Sequence, residues 1–459
     1  MSANSRRVDM TSGSLVKNIL RFALPVMLSG LLQLTFNAAD VIVVGRCAGD
    51  TALAAVTSSS SLINMLLNIF VGLSLGSNVL IARSLGEQNH DRVVRGVHTS
   101  IALGLICGVG IGSLGLIFSP WILRLMGTPD TVMGEAVLYL RIYFLGVPAS
   151  VLYNFGSSVL RASGDTRRPM RFLMTAGALN VVLNLCFVLG FGWGVAGVAI
   201  ATTISNLLSC SLVIRCLIRE NAPLQLDLRG LMLDRAVLVN VVKIGVPASL
   251  QGVLISMSNV VIQTAVNSFG DVVMAGSGAS ANIEGFVWTA MNAFYQACLS
   301  FTGRNLGAGK LRRVDHTALH CMWLAAAAGL LSGGLACLFG PELLGLYTDS
   351  AAAIEYGMNR MLLVCLPYFI LGMADVLMGS MRGMGMSLPP MINAITFMVG
   401  FRVLWINTVL RVWHTQTMLY INYPISWIMI FAAHWPCWFY VRRKVRRRQA
   451  GTLTEQGVG

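Results

Sequence analysis

The sequence predicts an all-α integral membrane protein of twelve transmembrane helices, in two six-helix lobes related by a parallel pseudo-two-fold repeat. Three observations carry that expectation. The 459 residues are 55% hydrophobic and 11% charged, with a mean hydropathy of +0.71. So few polar groups cannot cover a surface facing water, whereas a surface facing lipid needs none. Apolar runs of roughly 20 residues, the length that crosses a bilayer as a helix, fall six on each side of a polar stretch at 219–238. Finally, the halves echo each other at an offset of about 221 residues. Arg83-Ser84-Leu85-Gly86 returns as Arg304-Asn305-Leu306-Gly307, and Arg92-Val93 as Arg313-Val314. Arg161-x-x-Gly164 with Pro169 returns as Arg382-x-x-Gly385 with Pro390, and Leu24-Pro25 is matched by Val246-Pro247.

Taken in order, the first span centres near Met27 and the second near Leu66. The third, near Gly108, carries Gly104, Gly108 and Gly112 one turn apart, a face on which another helix can approach closely. A fourth follows near Phe155. The fifth and sixth, near Leu183 and Leu208, are parted only by Gly190-Phe-Gly-Trp-Gly194. After the polar stretch come spans near Met257, Met291, Leu330, Gly372, Phe397 and Met429. The expected division is therefore a first lobe over 1–218, a linker over 219–238, a second lobe over 239–441 and a basic tail over 442–459.

The net charge of +14 is distributed by topology. Basic residues crowd alternate gaps: Arg6, Arg7 and Lys17; Arg83, Arg92 and Arg95; Arg161, Arg167 and Arg168; Arg219, Arg229 and Arg235; Arg304, Lys310 and Arg313; Arg382; and the run from Arg442 to Arg448. The intervening gaps hold only Arg46, Arg124, Arg141, Arg360 and Arg411. Positive charge is retained on the cytoplasmic side of membrane proteins, so both termini and the linker are expected there, in a plasma (cell inner) membrane. This placement speaks against a nucleic-acid partner, and the expected surroundings are the lipid bilayer. The tail run is also placed to touch anionic lipid.

Catalytic and metal chemistry find little footing. Gly72-Leu-Ser74-Leu-Gly76 matches a nucleophile pattern, but that motif requires a strand-to-helix turn and this copy lies within an apolar helix. There is no phosphate-binding G-x-x-x-x-G-K-[ST] loop. The ten cysteines contain no C-x-x-C pair and the six histidines no metal-ligand spacing. An enzyme is not expected, nor a bound cofactor or an obligate protein partner.

Ionisable residues at membrane depth are costly and normally face a bundle interior or a water-filled cavity. Four stand out: Asp40, Glu284, Asp375 and Arg402. Gln33, Asn37 and Asp40 share one helix face, with Asp40 about 21 residues, and thus ~30 Å, into the first span. On the fifth span Asn180 and Asn184 are one turn apart. A carboxylate with carboxamide and hydroxyl oxygens can hold a weakly bound Na+ at Asp40. The same carboxylate, desolvated, can instead take a proton. In the second half, Glu284, Trp288, Asn292 and Gln296 form a stripe on the eighth span, and Asn259, Gln263 and Asn267 another on the seventh. Arg402 is expected to compensate Glu284 or Asp375, because an unpaired arginine there is costly. Gln33, Met27, Met257, Trp288, Met291 and Asn292 are the candidates for a substrate cavity, which the methionines make repackable because flexible thioethers adapt to ligands of different shape. Tandem membrane repeats with a site between them are a common construction of secondary carriers.

Over nearly its full length the chain resembles the multidrug and toxic compound extrusion (MATE) family. The resemblance rests on Leu24-Pro25 through Asn37-x-x-Asp40-Val-x-x-Val-Gly45, Arg161-Ala-Ser-Gly-Asp165 with Pro169, and Asn180-Val-Val-Leu-Asn184. Gly197-Val-Ala-Ile-Ala-Thr202, Gly245-Val-Pro247 and Ala281-Asn-Ile-Glu284-Gly-Phe extend it. It implies two six-helix lobes around a central cavity, alternating access, and export of small amphipathic organic cations in exchange for H+ or Na+. It also implies that Asp40, Asn180 and Thr202 belong to a cation-coupling cluster in the first lobe. Relatives often carry a second aspartate where this chain has Asn184, which leaves Asp40 with most of the coupling charge. Many place a glutamate on the seventh span, where this chain offers Gln251, Asn259 and Gln263, so Glu284 and Asp375 are expected to supply that charge. The alternative function is a flippase for a lipid-linked saccharide or other amphipathic lipid precursor, which would want more cavity-facing arginines than Arg402 alone.

Overall fold

The computed structural model describes residues 7–47 and 50–456, and among these residues it is helical with short connections and no strand. Arg6 and the last three residues of the basic tail lie outside the described residues. The first six helices are α1 (Leu15–Cys47), α2 (Asp50–Gly86), α3 (His90–Leu125), α4 (Asp130–Ala162), α5 (Arg167–Asn184) and α6 (Gly194–Ile218). The rest are α7 (Arg235–Asn267), α8 (Asp271–Gly307), α9 (Leu311–Leu338), the short α10 (Gly340–Gly345), α11 (Ala351–Val364) and α12 (Tyr368–Gly383). They end with α13 (Leu388–Ala394), α14 (Phe401–Asn407), α15 (Val409–Val412) and α16 (Gln416–Gln456). Among the described residues nine helices are long and apolar enough to cross a membrane. A tenth span is the pair α11 and α12, bent by 44° at the break between them. Helices α8 and α16 are long enough but less apolar; on α8 the polar stripe read from the sequence lowers the average. The outward apolar side chains, such as Trp323, Leu331 and Leu338, suit a lipid environment. The chain is a multi-pass membrane protein.

Two compact units divide the chain. The first comprises residues 1–7 and 28–245, the second residues 8–27 and 246–459. These units differ from lobes counted by spans, because the boundaries fall inside α1 and α7, beside Pro25 and Pro247. Both prolines remove a helical hydrogen bond, which weakens the helix there.

Within the first unit, α3 and α4 approach backbone to backbone. A Cβ on Gly108 would lie 2.8 Å from Pro148 Cα, and one on Gly115 would lie 2.1 Å from the Phe144 ring. The small face read from Gly104, Gly108 and Gly112 is therefore a packing face. Gly76, from the apparent nucleophile pattern, is likewise a contact point, with the Val241 carbonyl oxygen 2.2 Å from where its Cβ would sit. The linker is fastened to α3: Thr99 Oγ1 accepts from the Asp234 amide at 3.1 Å, His98 Nε2 from the Asp227 amide at 3.1 Å, and Arg95 pairs with Asp234 at 3.1 Å. Within the second unit the segment before α1 is held by Asn305, which donates to Met10 O at 2.9 Å, and by Arg313, which donates to Ser12 O at 2.7 Å. Phe22 meets Phe301 edge-on at 5.6 Å in that unit's core.

Candidate functional site

The first unit gathers four of the residues singled out in the sequence. Phe36 and Asp40 lie one turn apart on α1, and Gly177 and Asn184 lie two turns apart on α5. Gly177 lets the helices touch: a Cβ there would lie 1.9 Å from the Phe36 ring. That close approach brings the next turn of α1 against the end of α5, where Asn184 Nδ2 donates to Asp40 Oδ1 at 2.5 Å. The same amide donates to Asn180 Oδ1 at 3.3 Å, and Asn180 Nδ2 donates to Thr202 Oγ1 on α6 at 3.4 Å. Asn180 and Asn184 are 6% and 1% exposed. Asn184 is also the last α-helical residue before a π-helical turn over Leu185–Gly190, a wider winding common beside functional sites.

The chemistry of this cluster is that of an acid among neutral oxygens. Asn184 spends its amide hydrogens on Asp40 and Asn180, and its own Oδ1 is buried without a partner. No basic side chain pairs with Asp40 among the described residues. A carboxylate, two carboxamides and a hydroxyl are therefore linked in one chain of hydrogen bonds with an acceptor to spare, which fits a small cation or a proton. Asn37 and Gln33, on the same stretch of α1, are exposed, and among the described residues no hydrogen bond ties them to the cluster. Among the described residues no group of three or more His, Cys, Asp or Glu side chains could hold a metal.

In the second unit one acid is neutralised by an ion pair. Glu284 is clamped by Arg360 of α11, with Nε to Oε1 at 2.6 Å and Nη2 to Oε2 at 2.8 Å. Ser280 donates to Glu284 at 3.1 Å, and Arg360 Nη1 donates to Ser277 Oγ at 2.5 Å. The expected pairing of Arg402 with Glu284 or Asp375 is corrected: Arg360 takes Glu284, because α11 carries it inside the unit, where the sequence reading had placed it in a gap. Arg382 was also counted among gap residues, yet it is 4% exposed in the last turn of α12. It donates to Tyr295 Oη at 2.7 Å and Gln251 Oε1 at 2.8 Å and lies within electrostatic range of the half-buried Asp375. Arg402 itself donates from Nε to Ser426 Oγ at 3.3 Å and lies 4.5 Å from the Tyr423 ring centroid. The apolar neighbours of Arg360, Met358 and Met361 through Val364, were the signal that it lies inside.

The remaining candidates scatter. Met291 is 2% exposed and packed against Gly329 and Gly372, which makes it core. Met27 packs against the core of the second unit. Met257 and Trp288 are 56% and 42% exposed. Asn259 and Gln263 are exposed, with Gln263 bonded to Asn267 at 3.0 Å, and Asn292 accepts from Gln296 at 3.1 Å. A crevice of about 400 Å³ in the first unit, lined by Leu62, Leu66, Ile111, Phe118, Trp121 and Phe144 among others, has none of the polar candidates in its wall.

The model of the MatE family matches residues 25–186 and again residues 247–406, once in each half. This chain belongs to the MATE family. Its members are membrane transporters and not enzymes, and the double match is the repeat seen in the sequence. The probable multidrug resistance protein YoeA of Bacillus subtilis is 30% identical over 398 residues, covering 85% of this chain and 86% of that one. An FAD transporter of Shewanella oneidensis is 26% identical over 317 residues, covering 68% and 70%. An outward-facing multidrug resistance MATE family transporter of the MOP superfamily superposes with a TM-score of 0.86 at 22% identity, covering 96% of this chain and 98% of that chain. At that identity the likeness carries the fold alone.

Proposed function

We propose that this MATE transporter is a secondary active multidrug exporter of the plasma membrane, with both termini in the cytoplasm. It exchanges amphipathic organic compounds, mostly cations, for H+ or Na+ taken up at Asp40, by alternating access. The single observation that carries the reading is the cluster of Asp40 with Asn180, Asn184 and Thr202, an acid held among neutral oxygens with no basic partner among the described residues. A ligand shifts a two-state carrier only through different affinity for the two states. An uncompensated carboxylate, whose solvation changes as the carrier turns over, supplies that difference. The names of relatives support the drug-export part, among them YoeA and the multidrug export protein MepA of Staphylococcus aureus.

The flippase alternative calls for arginines free to hold a pyrophosphate. Of Arg360, Arg382 and Arg402, the first is committed to Glu284 and the second to Tyr295 and Gln251. One free arginine favours a coupled exporter. The test is uptake of a fluorescent lipophilic cation by proteoliposomes under an imposed H+ gradient or an imposed Na+ gradient, each alone. Accumulation under one of them supports the reading and names the ion. No accumulation under either, with folded protein, contradicts it.

A further inference from the structure

The second unit buries one more cation than its acids neutralise. Among the described residues Glu284 is ion-paired with Arg360, Asp375 lies within electrostatic range of Arg382 without a bond to it, and Arg402 has neither acid as a partner. Arg402 is 2% exposed, and among the described residues no carboxylate lies within 4.0 Å of it. The bond from Nε to Ser426 is its one hydrogen bond there, so both terminal nitrogens of the guanidinium fork are without an acceptor. Glu284 is near enough to act on Arg402 electrostatically, but both of its oxygens are already held by Arg360.

A second observation points the same way. Trp427, next in sequence to Ser426, is 1% exposed, and its indole N–H is buried without an acceptor. Trp427 and Arg402 flank the same ring: Tyr423 meets Trp427 edge-on at 5.8 Å and lies under the Arg402 guanidinium at 4.5 Å. Tyr368 stacks on Trp427 at 4.8 Å and 19°. The cluster thus offers donors and ring faces, and among the described residues no acceptor is bonded to the Trp427 N–H or to the terminal nitrogens of Arg402. A planar guanidinium fork matches carboxylate and phosphate oxygens, and unsatisfied donors are expensive in a membrane interior. Arg402 lies about 14 residues, or ~21 Å, along its span from Leu388, near the middle of that span and away from headgroup level. An oxyanion reaching it must therefore arrive on a transported molecule. The π-helical turn over Ile395–Gly400, immediately before α14, is a wide winding at which this segment can yield to admit one.

We propose that Arg402, the Trp427 N–H and the Tyr423 ring form a subsite in the second unit for the carboxylate or phosphate of an aromatic, amphipathic substrate. Zwitterions that pair a delocalised cation with an oxyanion are then preferred over plain cations. This deepens the exporter reading and rests on it. The test uses the purified full-length protein in zwitterionic-lipid nanodiscs and two dyes that share one ring system: rhodamine 110, with a free carboxylate, and rhodamine 123, its methyl ester. Fluorescence polarisation is expected to show rhodamine 110 bound about tenfold more tightly, the discrimination of one well-placed ionic hydrogen-bond pair. Arg402→Gln should bring the two affinities together while leaving that for rhodamine 123 within about twofold. Trp427→Phe keeps an aromatic ring and removes the N–H donor, and should reduce the preference about threefold, which provides a test should Arg402→Gln not fold. Equal binding of both dyes by the wild type, or a preference that survives either substitution, overturns the subsite. Gradient-driven uptake of rhodamine 123 without any carboxylate preference defeats the subsite alone. A carboxylate preference without uptake of either dye defeats the exporter reading alone.

Discussion

The two units handle buried acids in opposite ways. In the first, Asp40 accepts from the Asn184 amide, which Asn180 and Thr202 extend into a chain of hydrogen bonds, and it pairs with no arginine among the described residues. In the second, Glu284 is clamped at both oxygens by Arg360, and Asp375 shares its surroundings with Arg382. A clamped pair is already neutral, so protonating the acid would strand a buried guanidinium. An acid among neutral oxygens can gain a cation and lose it again at much smaller cost. The contrast teaches that Glu284 is built for shape and the first unit's acid for exchange, although a count of carboxylates alone would have favoured the second unit.

The sharpest way to break this contrast is to neutralise each acid in turn. Asp40→Asn should fold and bind substrate yet lose gradient-driven transport by about a hundredfold or more, measured as initial uptake in proteoliposomes. Arg360→Ala should act on stability first. It strands Glu284, with an expected cost of about 3–5 kcal/mol, read as lost thermal stability in detergent. Adding Glu284→Gln should recover much of that loss, while Arg402→Gln with Glu284→Gln should couple far more weakly than the Arg360 pair. Strong coupling of the second pair would restore the pairing read from the sequence.

Smaller effects sharpen the geometry. Gly177→Ala forces a Cβ into Phe36 and should cost about 1–3 kcal/mol, and it should slow transport by moving Asp40 off Asn184. The weakest effect belongs to Asp9, outside the spans. Partial burial pushes its carboxyl up, but bonds from Ser12 and Thr11 outweigh that and hold it down at about 2, against 3.8 for the free group. Its contribution to holding the segment before α1 is therefore complete above pH ~4 and is lost as pH falls through ~2. Asp9→Asn should change thermal stability by about 0.5 kcal/mol or less at neutral pH.

The fold and the first-unit cluster were legible in the sequence because both rest on short periodicities. Apolar runs and the matched prolines outline the repeat, and Asn180 with Asn184 marks a helix face by spacing alone. Asp40 was found by its cost in lipid, and Thr202 through resemblance to the family. Arg360 and Arg382 were missed because a charge near the end of an apolar run reads as a loop charge. Burial there depends on the bend between α11 and α12 and on partners 76 and 131 positions away, Glu284 and Gln251, which no local pattern encodes. Met291 was misjudged for a related reason. Its neighbours Gly329 and Gly372 lie on other helices, and only their packing shows it to be core.

The most direct test of the account is concentrative uptake by wild-type, Asp40→Asn and paired Glu284→Gln/Arg360→Gln proteins in the same proteoliposomes, under the gradient that drives the wild type. The account predicts that the pair variant, if folded, still accumulates dye against a gradient, while Asp40→Asn binds dye but only equilibrates it. Undiminished accumulation by Asp40→Asn, with loss in the folded pair variant, would move the coupling site to the second unit and contradict the account.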